Sequence, residues 1–155
     1  MAASPRRAPK TPADACPLEA VRALARASRL LERATDELSL GHYRVLAAVA
    51  AGEERASRVA SRLALGKPTV SATVESLCER GLVARARVAG DQRVSTLCLT
   101  AAGELLLERV EAEMVSRLAG LCERTPNAER VLESLVWLGA ALDEARAERV
   151  QGGRL

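Results

Sequence analysis

The sequence predicts a mainly α-helical fold with one small β-hairpin: a compact set of short helices plus the hairpin, flanked by longer helices. Three observations predict it. Apolar residues recur at three- and four-residue steps through most of the chain. Aromatic residues are nearly absent, with one Trp, one Tyr and no Phe, so the core must be packed from Leu, Val and Ala, residues that favour helices. One stretch, residues 82–99, abandons the helical period and alternates instead.

Taken in order, residues 1–15 hold three Pro and three basic residues and read as a disordered, mildly basic tail. Pro17 suits the first position of a helix, where its missing N–H costs nothing. Leu18, Val21, Leu24, Ala27, Leu30, Leu31 and Ala34 then mark a helix over 17–35, with Arg22, Arg26, Arg29 and Arg33 on another face. Ser39 is placed to N-cap a short helix carrying Tyr43, Val45, Leu46 and Val49 and ending near Gly52. Ser57 is expected to cap the next, with Val59, Ala60, Leu63 and Ala64 inward, Arg58 and Arg62 outward, and Gly66 as its stop. Pro68 opens a further helix that stops at Gly81. The turn of about three residues between the last two is helix-turn-helix spacing.

Behind that helix, Val83, Arg85 and Arg87 share one strand face, Ala89-Gly90-Asp91-Gln92 is turn-like, and Leu97 and Leu99 share a face of the returning strand. Helix, turn, helix, hairpin is the winged helix-turn-helix order. Thr100 caps a long helix over about 101–123, a break follows with Thr125 as a cap and Pro126 at the first helical position, and a last helix runs to about 149. Three parts follow: the tail at 1–15, a DNA-binding module at 39–100, and a helical region at 17–38 plus 101–150. The apolar faces of that helical region exceed what so small a module covers, and an intertwined homodimer buries them.

Charge sorts along the same lines. Residues 55–93 carry eight Arg or Lys against three acids, whereas 101–151 carry six Arg against ten acids. A basic middle and an acidic end imply that only the middle meets a polyanion. The four cysteines, Cys16, Cys78, Cys98 and Cys122, form no Cys-x-x-Cys pair and, with a single His, no zinc motif. No metal and no cofactor is expected. No paired carboxylates stand on a recognisable motif, and no Ser/His/Asp order or Gly-rich phosphate loop appears, which argues against an enzyme. No apolar run approaches membrane length and no signal peptide is visible, so a cytoplasmic protein without membrane contact is expected.

On the helix at 68–80, Val70, Val74, Leu77 and Cys78 make one face and Thr69, Ala72, Thr73, Ser76 and Arg80 the other. The second face is small, polar and almost free of acids, and small side chains let a helix approach base edges. Lys67 and the free N–H groups of the first turn suit a phosphate. At the hairpin tip, Arg93 suits a minor groove, with Asp91 beside it to hold the guanidinium.

These residues resemble the MarR family of regulators. Asp91-Gln92-Arg93 followed by an apolar strand and Leu99-Thr100-Ala101-Ala102-Gly103 is similar to its wing signature, D-x-R then L-T-x-x-G. Leu38 to Leu46 is similar to its second helix, and Leu63, Lys67 to Ser71, Val74, Leu77 and Glu79 to Val83 to its helix-turn-helix. The resemblance spans about 17–148, with the motifs concentrated between 38 and 103. It implies a triangular homodimer on double-stranded DNA. The implied contact set is Ser57, Arg58, Arg62, Lys67, Pro68, Thr69, Ser71, Ala72, Thr73, Ser76, Arg87, Asp91, Gln92 and Arg93. Half-sites would lie about 10 bp apart on a pseudo-palindrome.

The resemblance also implies a small lipophilic or phenolic effector, bound between the dimer region and the DNA module. Trp137, with Val136 and Leu138, is expected in the dimer core rather than around that ligand. A redox sensor is the alternative, because Cys16 falls near the start of helix 1, where peroxide-sensing relatives carry a reactive thiol. The departure is that those relatives surround the sulfur with tyrosines, whereas Leu40 stands at the matching second-helix position and helix 1 has no Tyr. His42 is read as a polar surface or interface residue, since a metal-sensing or acid–base role would need partners that the sequence does not offer. A protein-interaction module on a winged-helix scaffold and a non-specific DNA-packing protein stay open beside the regulator.

Overall fold

The computed structural model describes residues 17–34, 36–52, 55–88 and 91–152; the side chains at 87, 88, 91–95 and 150–152 lie outside that description. The elements run α1 (Pro17–Glu32), α2 (Leu40–Ala50), α3 (Ala56–Leu63), α4 (Lys67–Glu79), β1 (Val83–Val88), β2 (Asp91–Leu99), α5 (Ala101–Cys122) and α6 (Ala128–Gly152). The strands form one two-stranded antiparallel sheet.

The core is aliphatic. Val45, Leu46 and Val49 of α2, Val59 and Ala60 of α3, and Val70, Val74 and Leu77 of α4 meet Leu38, Leu82, Val83 and Leu97 in one buried cluster. Burying each Val or Leu contributes about 1.5–3 kcal/mol, so this cluster holds the three short helices and the hairpin base together. From α5, Leu106, Leu107, Val110 and Met114 close the same cluster. By contrast α1 has no buried residue, and every residue described in α6 is exposed or only half-buried.

Local chemistry sets the boundaries. Ser39 caps α2 by accepting from the His42 N–H at 3.3 Å. The α4 stop is a Schellman turn: Gly81 takes φ +68°, its N–H donates to the Cys78 carbonyl, and the Leu82 N–H donates to the Leu77 carbonyl. Thr100 Oγ1 accepts from the Gly103 N–H at 3.1 Å and donates to the Gly81 carbonyl at 2.7 Å, which pins the start of α5 to the α4–β1 turn. Gly103 is buried there. A Cβ at that position would lie 3.0 Å from the Leu82 carbonyl carbon and closer still to its oxygen. The L-T-x-x-G run is thus a cap followed by a close backbone approach.

Five boundary expectations are corrected. Helix α1 ends at Glu32, not 35. Arg55, not Ser57, is the N-cap of α3, and Ser57 stands inside its first turn. Helix α3 stops at Ala64, which adopts φ 51°, while Gly66 is the extended N-cap of α4; both fit inside a turn too short to spare a residue for a separate stop. Helix α6 starts at Ala128, because Asn127 Oδ1 accepts from the Arg130 N–H at 2.9 Å; Thr125 instead donates its hydroxyl back to the Cys122 carbonyl. In the hairpin, Asp91 and Gln92 belong to β2 and not to the turn, with Asp91 opposite Val88 and a bulge between Arg87 and Val88.

Candidate nucleic-acid interface

Helix α4 presents its outer face because its inner face is fixed. Val70, Val74 and Leu77 are fully buried against α2 and α3, so the positions between them turn outward. Lys67, Pro68, Thr69, Ser71 and Ala72 are exposed. Thr73 is half-buried, with its hydroxyl donating to the Thr69 carbonyl at 2.9 Å. Gly66 leaves the first-turn N–H groups of α4 without a side-chain cap, and no acid occupies that turn. Such an end attracts a phosphate.

The other expected contacts spread over two elements. Ser57 and Arg58 are exposed on α3, which packs against α4, and Arg62 is half-buried in the same helix. Arg87, Asp91, Gln92 and Arg93 lie on the two strands of the hairpin next in the chain, with side chains outside the described residues. Cys16 also falls outside the description.

Ser76 departs from the rest of its face. It is half-buried, and its hydroxyl meets His42 Nε2 at 3.2 Å. The other ring nitrogen, Nδ1, meets Ser39 Oγ at 2.6 Å. His42 is thus a half-buried polar residue with a serine on each ring nitrogen. Burial, and then the nearby Arg80 cation, hold its pKa below the ordinary histidine value, so the neutral ring is favoured. Arg80 itself donates from Nη2 to the Glu37 carbonyl at 2.7 Å, and Arg109 of α5 donates to the Glu37 carboxylate at 2.8 Å. One local signal for His42 is available in the sequence: it stands three residues after the Ser39 cap, the place from which a polar side chain reaches back. The Arg80 and Arg109 contacts have no local signal.

Beside the module, an open hollow of about 360 Å³ lies between α2, β2 and α5. Val49, Leu97, Leu99 and Leu107 line it together with Glu104, Glu108 and Glu111. Tyr43 donates to Glu111 at 3.4 Å, and burial, followed by the Glu111 charge and hydrogen bond, raises its pKa. The glutamates disfavour an anionic occupant. Among the described residues no group of His, Cys, Asp and Glu is arranged to hold a metal ion, and no helix is long and apolar enough to cross a membrane.

The model of the MarR family matches residues 36–94, from just before α2 to the middle of β2. Residues 36–94 are similar to the MarR family, over this part of the chain alone. No curated protein matches the sequence. Among solved structures, the chain is similar to the transcriptional repressor CouR bound to a 23-mer DNA duplex, with a TM-score of 0.70 and 22% identity over 83% of this chain and 93% of that one. It is similar to CouR from Rhodococcus jostii RHA1 bound to p-coumaroyl-CoA, with a TM-score of 0.67 and 22% identity over 84% and 93%. It is also similar to the transcriptional regulator PcaV from Streptomyces coelicolor, with a TM-score of 0.62 and 26% identity over 84% and 99%. These likenesses cover more than four-fifths of the chain, beyond the length of residues 36–94, and establish a winged-helix fold within a larger helical frame.

Proposed function

We propose that this chain is a transcription regulator that binds a pseudo-palindromic DNA operator as a homodimer. Each copy sets α4 in a major groove and Arg93 of the hairpin in the adjacent minor groove. The observation that carries the reading is the exposed start of α4. Lys67, Thr69, Ser71 and Ala72 form a short, acid-free surface on a helix whose opposite side is locked in the core. A major groove admits such a surface, because small side chains let the helix approach base edges. The DNA-bound form of CouR supports the reading by likeness of fold.

The dimer follows from what the single chain leaves bare. Val21 of α1 is 61% exposed, Val115 of α5 64%, and Val136 and Trp137 of α6 71% and 66%. An apolar surface of that kind on three helices calls for a partner, and a second copy with the same faces is the simplest one. The regulator acts as a repressor and yields to a small lipophilic or phenolic effector. Support comes from CouR with p-coumaroyl-CoA and from PcaV solved with its natural ligand, at 25% identity.

The test is a footprint of the purified protein on a duplex selected from a randomised pool. Two protected half-sites about one helical turn apart are expected, and log K against log salt should slope near −5 if a dimer neutralises roughly six phosphates. Arg93→Ala should weaken binding at least tenfold, roughly the worth of one well-placed arginine, while the dimer persists. Equal affinity for selected and random duplex would overturn the reading.

A further inference from the structure

The inner face of α4 is made of Val70, Val74 and Leu77, small aliphatic groups whose contacts have no direction. Such a face fixes how deep a helix sits far better than it fixes its rotation. Rotation needs directional contacts at an edge. Two are present, four residues apart on one side of α4: Ser76 to His42 at 3.2 Å, and Arg80 to the Glu37 carbonyl at 2.7 Å. Both anchors belong to the segment that begins α2. His42 is itself held from behind, since Ser39 Oγ stands 2.6 Å from Nδ1 while capping the helix.

We propose that His42 and Arg80 are positioning residues for DNA recognition: they tie α4 to the start of α2, His42 through Ser76 and Arg80 through the Glu37 carbonyl, and so fix the angle at which Lys67, Thr69 and Ala72 are presented. The inference rests on the DNA-binding reading and reassigns Ser76 from a base or phosphate contact to a strut. The neutral imidazole matches the role. In either neutral tautomer one ring nitrogen donates and the other accepts, so the ring can bond Ser39 and Ser76 at once. The Arg109–Glu37 ion pair at 2.8 Å continues the line to α5, but both side chains are more than half exposed and the proposal does not depend on it.

A double-mutant cycle separates a strut from a DNA contact. The full chain, as wild type, His42→Ala, Ser76→Ala and the double variant, is titrated against the selected duplex and against a random one. The strut predicts that each single variant loses about fivefold in affinity for the selected duplex, that the double loses no more than either, and that random-duplex binding and the salt slope stay unchanged. His42→Gln, whose amide reaches the place of Nε2, should restore affinity, whereas His42→Asn, which reaches only the place of Nδ1, should not. Arg80→Lys should bind better than Arg80→Gln at an unchanged salt slope. Amide hydrogen exchange of residues 74–81 in the free protein reads the tie without DNA and should accelerate in His42→Ala. A loss confined to Ser76→Ala, with His42→Ala indistinguishable from wild type, would overturn the inference alone. A wild-type chain that selects no duplex would overturn the DNA reading and this inference with it.

Discussion

Replacing Gly103 by Ala should destabilise the protein, although on helix propensity alone it should stabilise it. Gly103 lies in the first turn of α5, a helix of 22 residues, where Ala in place of Gly is worth about 0.5–1 kcal/mol. Against that, the new Cβ would sit 3.0 Å from the Leu82 carbonyl carbon and 3.4 Å from its Cα, with the carbonyl oxygen nearer. Neither group is a flexible side-chain end, so relief requires α5 to move away from the start of β1. Overpacking of this kind costs about 1–3 kcal/mol. The movement also draws Thr100 away from Gly81 and Leu82, to which it bonds at 2.7 and 3.1 Å, and an impaired cap costs about 1 kcal/mol more. The balance is a loss of about 2–3 kcal/mol, or about 5–10 °C in Tm for a chain this long. Urea unfolding followed by circular dichroism at one fixed protein concentration measures it, because association would otherwise shift the midpoint. Gly120→Ala in the same helix is the control: nothing lies within 4 Å of its added Cβ, so a gain of about 0.5–1 kcal/mol is expected. A Gly103→Ala midpoint at or above that of wild type would refute the close-approach account of the L-T-x-x-G run.

Two further outcomes are expected. Val136→Asp on α6 should convert the dimer to a folded monomer, seen by light scattering and by a red shift of the single Trp, because Val136 is 71% exposed and lends nothing to its own chain's core; a variant that stays dimeric would remove this face from the interface. Stability should fall as pH drops below about 6.5, the unfolded value for His42, since the folded state binds its proton less readily, and the loss should level off once pH passes the folded value. His42→Gln should lack that component, and an identical pH profile in the two proteins would contradict the burial assigned to the ring.

Legibility in the sequence followed the range of the interaction that decides each feature. Helix existence and the hairpin were readable from period, because Val45, Leu46 and Val49, or Val70, Val74 and Leu77, repeat with the turn of a helix. Caps were readable where one side chain closes one turn, as at Ser39 and Thr100. They misled where neighbours compete. Ala64 takes the left-handed position that Gly66 was expected to fill, since Gly66 is already spent as the first residue before α4. The outer face of α4 was legible as a stripe, yet one of its members, Ser76, turns to a partner 34 residues away, and Arg80 to one 43 residues away. No local pattern encodes either pairing.

The composition that made the fold legible also explains why those pairings matter. A core with no Phe and no buried Trp has few large, shape-specific side chains to lock one helix against another. Aliphatic cores of the right volume lose uniqueness and rigidity before they lose stability. In such a protein the directional contacts at the rim of the core decide orientation, even though each is worth only about 1 kcal/mol. A DNA-reading helix must hold its angle to within a fraction of a base step, so it is where weak, directional ties of the His42–Ser76 kind have the most to contribute.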